Sequence, residues 1–305
     1  MKKVFFVLAS LIVLGGALLL SSCSRQASFD GSSEDKIQAM VSVLPQVYFV
    51  ERIGGDKVQV EAMIPPGFSP ATYDPSPEQL IKLQEAEFYF RIGKIAFEEA
   101  QMDKLAQMNK GMRIVDTSQG ITFEYLAEHS HEEDGDDRDH ESESGVDPHI
   151  WLSPRLVKIQ AEHIYEALAE LAPENQEYFL ANYNNFIRDL DDVDSHLETA
   201  FAPMKGGAIL VFHPAFGYLA NQYGFEQRAI EIEGKDPSPE HLKEIIDQAI
   251  ADDIKVIFVQ KQFSTKSASA VAEAIGGTVV QIDPLAQDYL NNLEEMAGAI
   301  VNNIK

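Results

Sequence analysis

The run Met40-Val41-Ser42-Val43-Leu44-Pro45-Gln46-Val47-Tyr48-Phe49-Val50-Glu51-Arg52-Ile53-Gly54-Gly55 places a strand, a helix start and a helix stop in immediate succession. Met40–Leu44 is short, apolar and rich in valine, which suits a buried strand. Proline at 45 fits a first helical turn, where its missing N–H costs nothing, and the glycine pair stops the helix after Ile53. Val58 to Ile64 then alternates as a second strand, ended by Pro65-Pro66-Gly67. A strand, a crossover helix and a second strand make a βαβ unit, and such units build parallel sheets.

Downstream the same alternation continues. Pro77–Ala86 reads as a helix with Glu78 in its first turn, Phe88–Ile92 as a strand, Ala96–Met108 as a helix and Met112–Val115 as a strand. Pro154–Leu171 and Pro173–Phe201 are helical, and the second would reach roughly 42 Å at 1.5 Å per residue. Strands are expected at Ile209–Phe212, Val256–Val259 and Thr278–Ile282, with helices at Ser238–Ala251, Thr265–Ile275 and Asp288–Asn303. The predicted architecture is α/β: a first domain over 37–172, a linking helix over 173–202 and a second domain over 203–305. His129–Gly145 interrupts the first domain with acidic residues, histidines and no large apolar side chain. Such a stretch cannot offset its ordering entropy by burial and is expected to form a mobile loop.

The chain opens with Met1-Lys2-Lys3 and an apolar run from Val4 to Leu20, the layout of a signal peptide over 1–22. A membrane-spanning anchor is the competing reading, since such a run stands at the lower edge of a bilayer span. Leu20-Ser21-Ser22-Cys23 favours the signal peptide, because it resembles the lipobox of bacterial lipoproteins, in which the cysteine is acylated. Cys23 is the only cysteine in 305 residues. The lipobox resemblance implies that residues 23–36 form a lipidated polar tether and that the protein is an exported lipoprotein facing the periplasm or the cell exterior. Its membrane contact is the lipid. With that one sulfur acylated, no disulfide can form, and stability rests on apolar cores. The net charge of −25 disfavours nucleic acid as a partner and favours cations.

Three motifs pair a metal-ligating residue with proline: Asp147-Pro148-His149, Phe212-His213-Pro214 and Asp283-Pro284-Leu285. The last two directly follow strands, where open α/β sheets place their crevices. Two imidazoles and a carboxylate suit zinc, iron or manganese rather than copper(I). Each residue alone also reads as structural, the histidines hydrogen-bonded and the aspartate capping a loop. His163, His196 and His241 lie in charged helical segments and receive no role.

With Pro65-Pro66-Gly67, Tyr73-Asp74-Pro75-Ser76-Pro77 and Pro237-Ser238-Pro239, these motifs resemble the solute-binding proteins of bacterial zinc and manganese transporters. The resemblance runs from about Val41 to the C-terminus. It implies two similar domains joined by one rigid helix, a metal cleft between them, and a monomer that delivers Zn2+ or Mn2+ to an ABC permease. It also implies that His149, His213 and Asp283 are metal ligands. One position departs from the family. Its Gly-x-x-Pro-His pattern stands here as Gly67-Phe68-Ser69-Pro70-Ala71, so alanine replaces the first histidine ligand. Water or a bidentate Asp283 completes the site, or His129, His131 and His140 of the loop, or Glu231 and Glu233, move in; loss of tight metal binding is the remaining alternative. The alternatives are an adhesin or metal-storage lipoprotein and, on the strength of an open metal position, a metallohydrolase. No His-Glu-x-x-His motif supports the last.

Overall fold

The computed structural model describes residues 36–126, 145–231 and 238–304. The signal segment, the tether, Cys23, the three loop histidines His129, His131 and His140, and Glu233 lie outside the described residues. Two four-stranded parallel sheets organise the rest. The first has strands β1 (Ile37–Val41), β2 (Val58–Ala62), β3 (Phe88–Arg91) and β4 (Arg113–Asp116) in the order β2-β1-β3-β4. The second repeats this plan with β5 (Ala208–Val211), β6 (Glu226–Ala229), β7 (Val256–Gln260) and β8 (Thr278–Ile282), ordered β6-β5-β7-β8. Central strands are mostly apolar because helices cover both faces: all of β7 is buried, as are Phe88, Tyr89 and Phe90 of β3. In each sheet the strand order reverses between the two central strands, and such reversal points are where crevices open.

Nine helices fill the described connections. In the first lobe these are α1 (Leu44–Gly54), α2 (Pro77–Glu85), α3 (Ala96–Met108) and α4 (Pro154–Leu171). Helix α5 (Gln176–Phe201) joins the lobes, and α6 (Gly217–Tyr223), α7 (Pro239–Ala251), α8 (Thr265–Ala274) and α9 (Tyr289–Asn303) belong to the second. Ser76 caps α2: its hydroxyl accepts from Gln79 N (3.3 Å) while Gln79 Oε1 accepts from Ser76 N (3.0 Å), with Pro77 at the first helical position. Ser238 caps α7 in the same manner, accepting from His241 N at 3.2 Å. The serine-proline motifs shared with the family are therefore helix starts.

The linking helix is bound along its length to both lobes. Phe179, Phe186, Leu190, Val193, Leu197 and Phe201 form its buried stripe. Phe186 packs on Phe49 of α1 at 5.8 Å, and Phe49 meets Tyr289 of α9 edge-on at 4.8 Å. One apolar cluster thus runs from Val41 and Phe90 through Phe186 to Phe216 and Phe258. A smaller one, including Phe212, Ile230 and Val259, fills the far half of the second lobe. No described helix is long and apolar enough to cross a membrane.

Three elements differ from expectation. Strand β1 ends at Val41 rather than Leu44, because Gln46 Oε1 accepts from the backbone of Ser42 (3.0 Å) and Val43 (3.3 Å) and turns the chain into α1 early. Edge strand β6, Glu226-Gln227-Arg228-Ala229, has no apolar alternation to reveal it. Helix α6 is too short for a helical period to register.

Candidate metal centre

His213 sits just past β5, beside the reversal point of the second sheet. Its backbone is clamped from the neighbouring strand: Gln260, fully buried at the end of β7, accepts from His213 N (3.2 Å) and donates to His213 O (2.6 Å). On its other side, Glu231 follows β6 and accepts from His213 Nδ1 at 3.0 Å. Glu231 is 3% exposed. It stands behind the imidazole.

His149 is held by its own motif. Asp147 Oδ1 accepts from the His149 backbone N (2.9 Å) and from its Nδ1 (2.6 Å), a local turn that Pro148 stiffens. Asp147 is buried too. Each Nδ1–H therefore points at a carboxylate, which leaves each Nε2 as a bare donor to a cation. That is how ligating histidines are usually oriented. The two Nε2 atoms face each other at 3.3 Å, with the rings at 75°. Burial, the largest effect, lowers the His213 pKa against the opposing pull of Glu231, and His149 lowers it further. The ring is accordingly neutral at neutral pH.

Aromatic side chains wall the pair. Phe263 stacks on His213 at 4.9 Å, and Trp151 meets His149 edge-on at 5.1 Å while donating to Pro284 O across the lobes at 2.8 Å. The cavity these groups enclose measures about 30 Å³, and Ser69 and Pro70 also line it. Space of that size holds a single ion or water.

Asp283 is not brought into this cavity. Its Oδ1 accepts from Leu285 N and Gln262 Nε2, both at 3.0 Å, and its Oδ2 lies 3.5 Å from Lys261 Nζ. It faces an adjoining cavity of about 210 Å³ bounded by Val43, Ile64 and Pro65–Gly67. Gln262 and Leu285 line both cavities and form the wall between them. Ala71 is exposed, one residue beyond Pro70 at the rim. Among the described residues, no group of three or more His, Cys, Asp or Glu is arranged to hold an ion. The structure joins His149 to His213, stations Glu231 behind one of them, and keeps Asp283 one wall away.

Of the histidines without a role, His163 bonds Gln119 O (2.9 Å) and His196 bonds Glu294 (2.8 Å). Sequence reasoning misses Gln260 and Phe263. Gln260 alone leaves a trace, as a polar residue closing the apolar run Val256–Val259.

Known proteins share this arrangement of lobes. The high-affinity zinc uptake system protein ZnuA of Bacillus subtilis (strain 168) is 28% identical over 298 residues, spanning 95% of this chain and 89% of the relative. The zinc-binding lipoprotein AdcA of Streptococcus pneumoniae (strain ATCC BAA-255 / R6) is 30% identical over 296 residues, 93% of this chain and 56% of that longer protein. A crystal structure of a ZnuA superposes with a TM-score of 0.80 at 40% identity, covering 88% of this chain and 99% of that one. The periplasmic zinc-binding protein TroA from Treponema pallidum, at 18% identity, shares the fold with a TM-score of 0.76 over 88% of this chain and 99% of its own. The family described as zinc-uptake complex component A, periplasmic (ZnuA), matches residues 40–303. With paired sheets, a joining helix and two imidazoles meeting between the lobes, this chain belongs to that family of metal-uptake solute-binding proteins, which carry a metal rather than catalyse a reaction.

Proposed function

We propose that the chain captures one zinc ion between its lobes, through Nε2 of His149 and Nε2 of His213, and passes it to an ABC permease for import. The 3.3 Å separation of these nitrogens carries the reading. Two ligands about 2.0–2.1 Å from a tetrahedral zinc stand about 3.3–3.4 Å apart, so the pair is already spaced as a zinc chelate. Two bare nitrogens facing each other repel, and a cation at their apex turns that repulsion into two bonds. The carboxylates on Nδ1 raise the basicity of each Nε2.

Asp283 joins as the third ligand once it leaves Lys261 and Gln262, with Gln262 and Leu285 moving aside. Position 71 offers no donor, so water takes the fourth place. Glu231 serves as the partner of His213 and does not ligate directly. The protein works as a monomer tethered through acylated Cys23. The cleft closes by small movements of loops, because α5 and the continuous core tie the lobes together.

Calorimetric titration with zinc tests the site. His149→Ala and His213→Ala should each weaken binding by about a hundredfold or more, beyond the 10–100-fold that partners of metal ligands produce. Circular dichroism should be unchanged, since this scaffold has its own cores and does not fold around the ion. Wild-type affinity in both variants would overturn the assignment. For the anchor, Cys23→Ser should move the protein from the membrane to the soluble fraction after normal processing.

A further inference from the structure

Helix α6 begins four residues after His213 and reaches across to the first lobe, most deeply through Tyr218. The Tyr218 hydroxyl donates to the carbonyl of Asp147 at 2.9 Å and accepts from Glu124 N at 3.0 Å. Tyr218 is 4% exposed, and burial raises its phenol far above the ordinary range, so it remains a donor at every physiological pH. One residue earlier, Gly217 faces the Asp147 carboxylate so closely that a Cβ there would lie 2.4 Å from Oδ2. No real Cβ tolerates such a contact, and the carboxylate has little room to yield. Asp147 is 1% exposed, and its Oδ1 already holds both the backbone N and the Nδ1 of His149.

We propose that Gly217 and Tyr218 are positioning residues for the metal site: they fix Asp147, and through it the Nε2 of His149, at chelating distance from the Nε2 of His213. The linkage is short. It runs from His213 through Pro214 and the first turn of α6 to the Tyr218 hydroxyl, then across one hydrogen bond to Asp147, Pro148 and His149. Two prolines and a helical turn leave it few soft torsions, so the two imidazoles from different lobes behave as one preorganised ligand. Such a ligand gives up little freedom when the ion arrives. Glycine is needed at 217 because any side chain would push the carboxylate off Nδ1. A purely structural role would instead be to satisfy the half-buried Glu124 N–H and the buried Asp147 C=O. That role predicts lost stability with an unchanged site.

The inference rests on His149 and His213 holding the metal, and the experiment separates the two claims. In the full chain, zinc affinity is measured by competition with a chelating dye, and site geometry by the visible absorption bands of bound cobalt(II). Gly217→Ala should weaken zinc about tenfold to a hundredfold and alter the cobalt bands, as loss of a ligand's partner does. Tyr218→Phe, acting one bond further back, should weaken zinc by about threefold to tenfold with the same spectral change. Tyr223→Phe is the control. Its hydroxyl is equally buried on the same helix but donates to Asp194 at 2.9 Å, so it should lower Tm and leave affinity and spectrum alone. If His213→Ala weakens zinc while Gly217→Ala and Tyr218→Phe keep wild-type affinity and bands, the positioning role is overturned and the site stands. If His213→Ala itself binds zinc normally, the site reading has failed. Should Tyr218→Phe not fold, Gly217→Ala decides, because it removes no hydrogen-bonding group from the chain.

Discussion

His213 and Asp283 both stand just past strands of the same sheet, yet one is locked in place and the other is lightly held. The difference lies in where their strands stand. β5 is central, with β6 on one side and β7 on the other. The neighbours supply Glu231 behind the ring and Gln260 around the backbone, both buried. β8 is an edge strand whose only neighbour is β7. The Asp283 carboxylate is held by Lys261 and Gln262, which follow β7, and by its own loop through Leu285 N, with no described strand on its far side. A ligand at the reversal point of a parallel sheet is built into the fold, whereas a ligand at the sheet edge has to be recruited. This contrast predicts unequal consequences for changes around the two residues.

The largest effect should come from undoing the support of His213. Glu231→Gln keeps the shape but removes the charge that holds Nδ1–H, and zinc affinity should fall about 10–100-fold. Dye competition measures it. An effect below twofold would show that the carboxylate does not orient the ring. Next comes the rim. Ala71→His places an imidazole next to the cavity-lining Pro70, and it should tighten zinc on the order of tenfold by displacing water from the fourth position. Asp283→Ala should cost less than either histidine, roughly fivefold to tenfold, because water can replace a recruited carboxylate. A loss as large as that of His213→Ala would erase the contrast between centre and edge.

Residues carrying their own local signal are legible in the sequence. Proline after a strand marks His213 and Asp283, proline before a helix marks α1 and α2, and the valine-rich run at 256–259 marks a buried strand. The structure keeps each of these. Strand β6 is the instructive miss. Its residues are polar because it lies at an edge, and without it nothing in the sequence places Glu231 beside His213. Glu231 then reads as a spare oxygen ligand, whereas the structure sets it against Nδ1 of His213. Tyr218 is hidden for a similar reason, since a helix as short as α6 has no period, and a tyrosine within it looks like ordinary core. Contacts made by pairing between distant segments leave no trace in local composition.

Lys261 gives the smallest and most particular prediction. Its ammonium lies 3.5 Å from Asp283 Oδ2 and its side chain is 60% exposed, the geometry of a weak surface ion pair. Such pairs contribute about 0–1 kcal/mol, and 1.4 kcal/mol is tenfold in affinity, so releasing Asp283 is worth at most about fivefold. The sign follows from competition. In the free protein the carboxylate is paired with Lys261, and zinc must take it away. Lys261→Gln lowers that barrier while keeping a side chain of similar length, so zinc should bind up to about fivefold more tightly. Salt distinguishes this from a change in shape. Exposed charges are screened over about 10 Å at 0.1 M and about 3 Å at 1 M ionic strength, so raising salt should shrink the gap between variant and wild type. In the Asp283→Ala background Lys261 has no partner to withhold, and Lys261→Gln should then change nothing. Persistent tightening there would mean that Lys261 repels the cation directly, and that Asp283 is not a ligand in waiting.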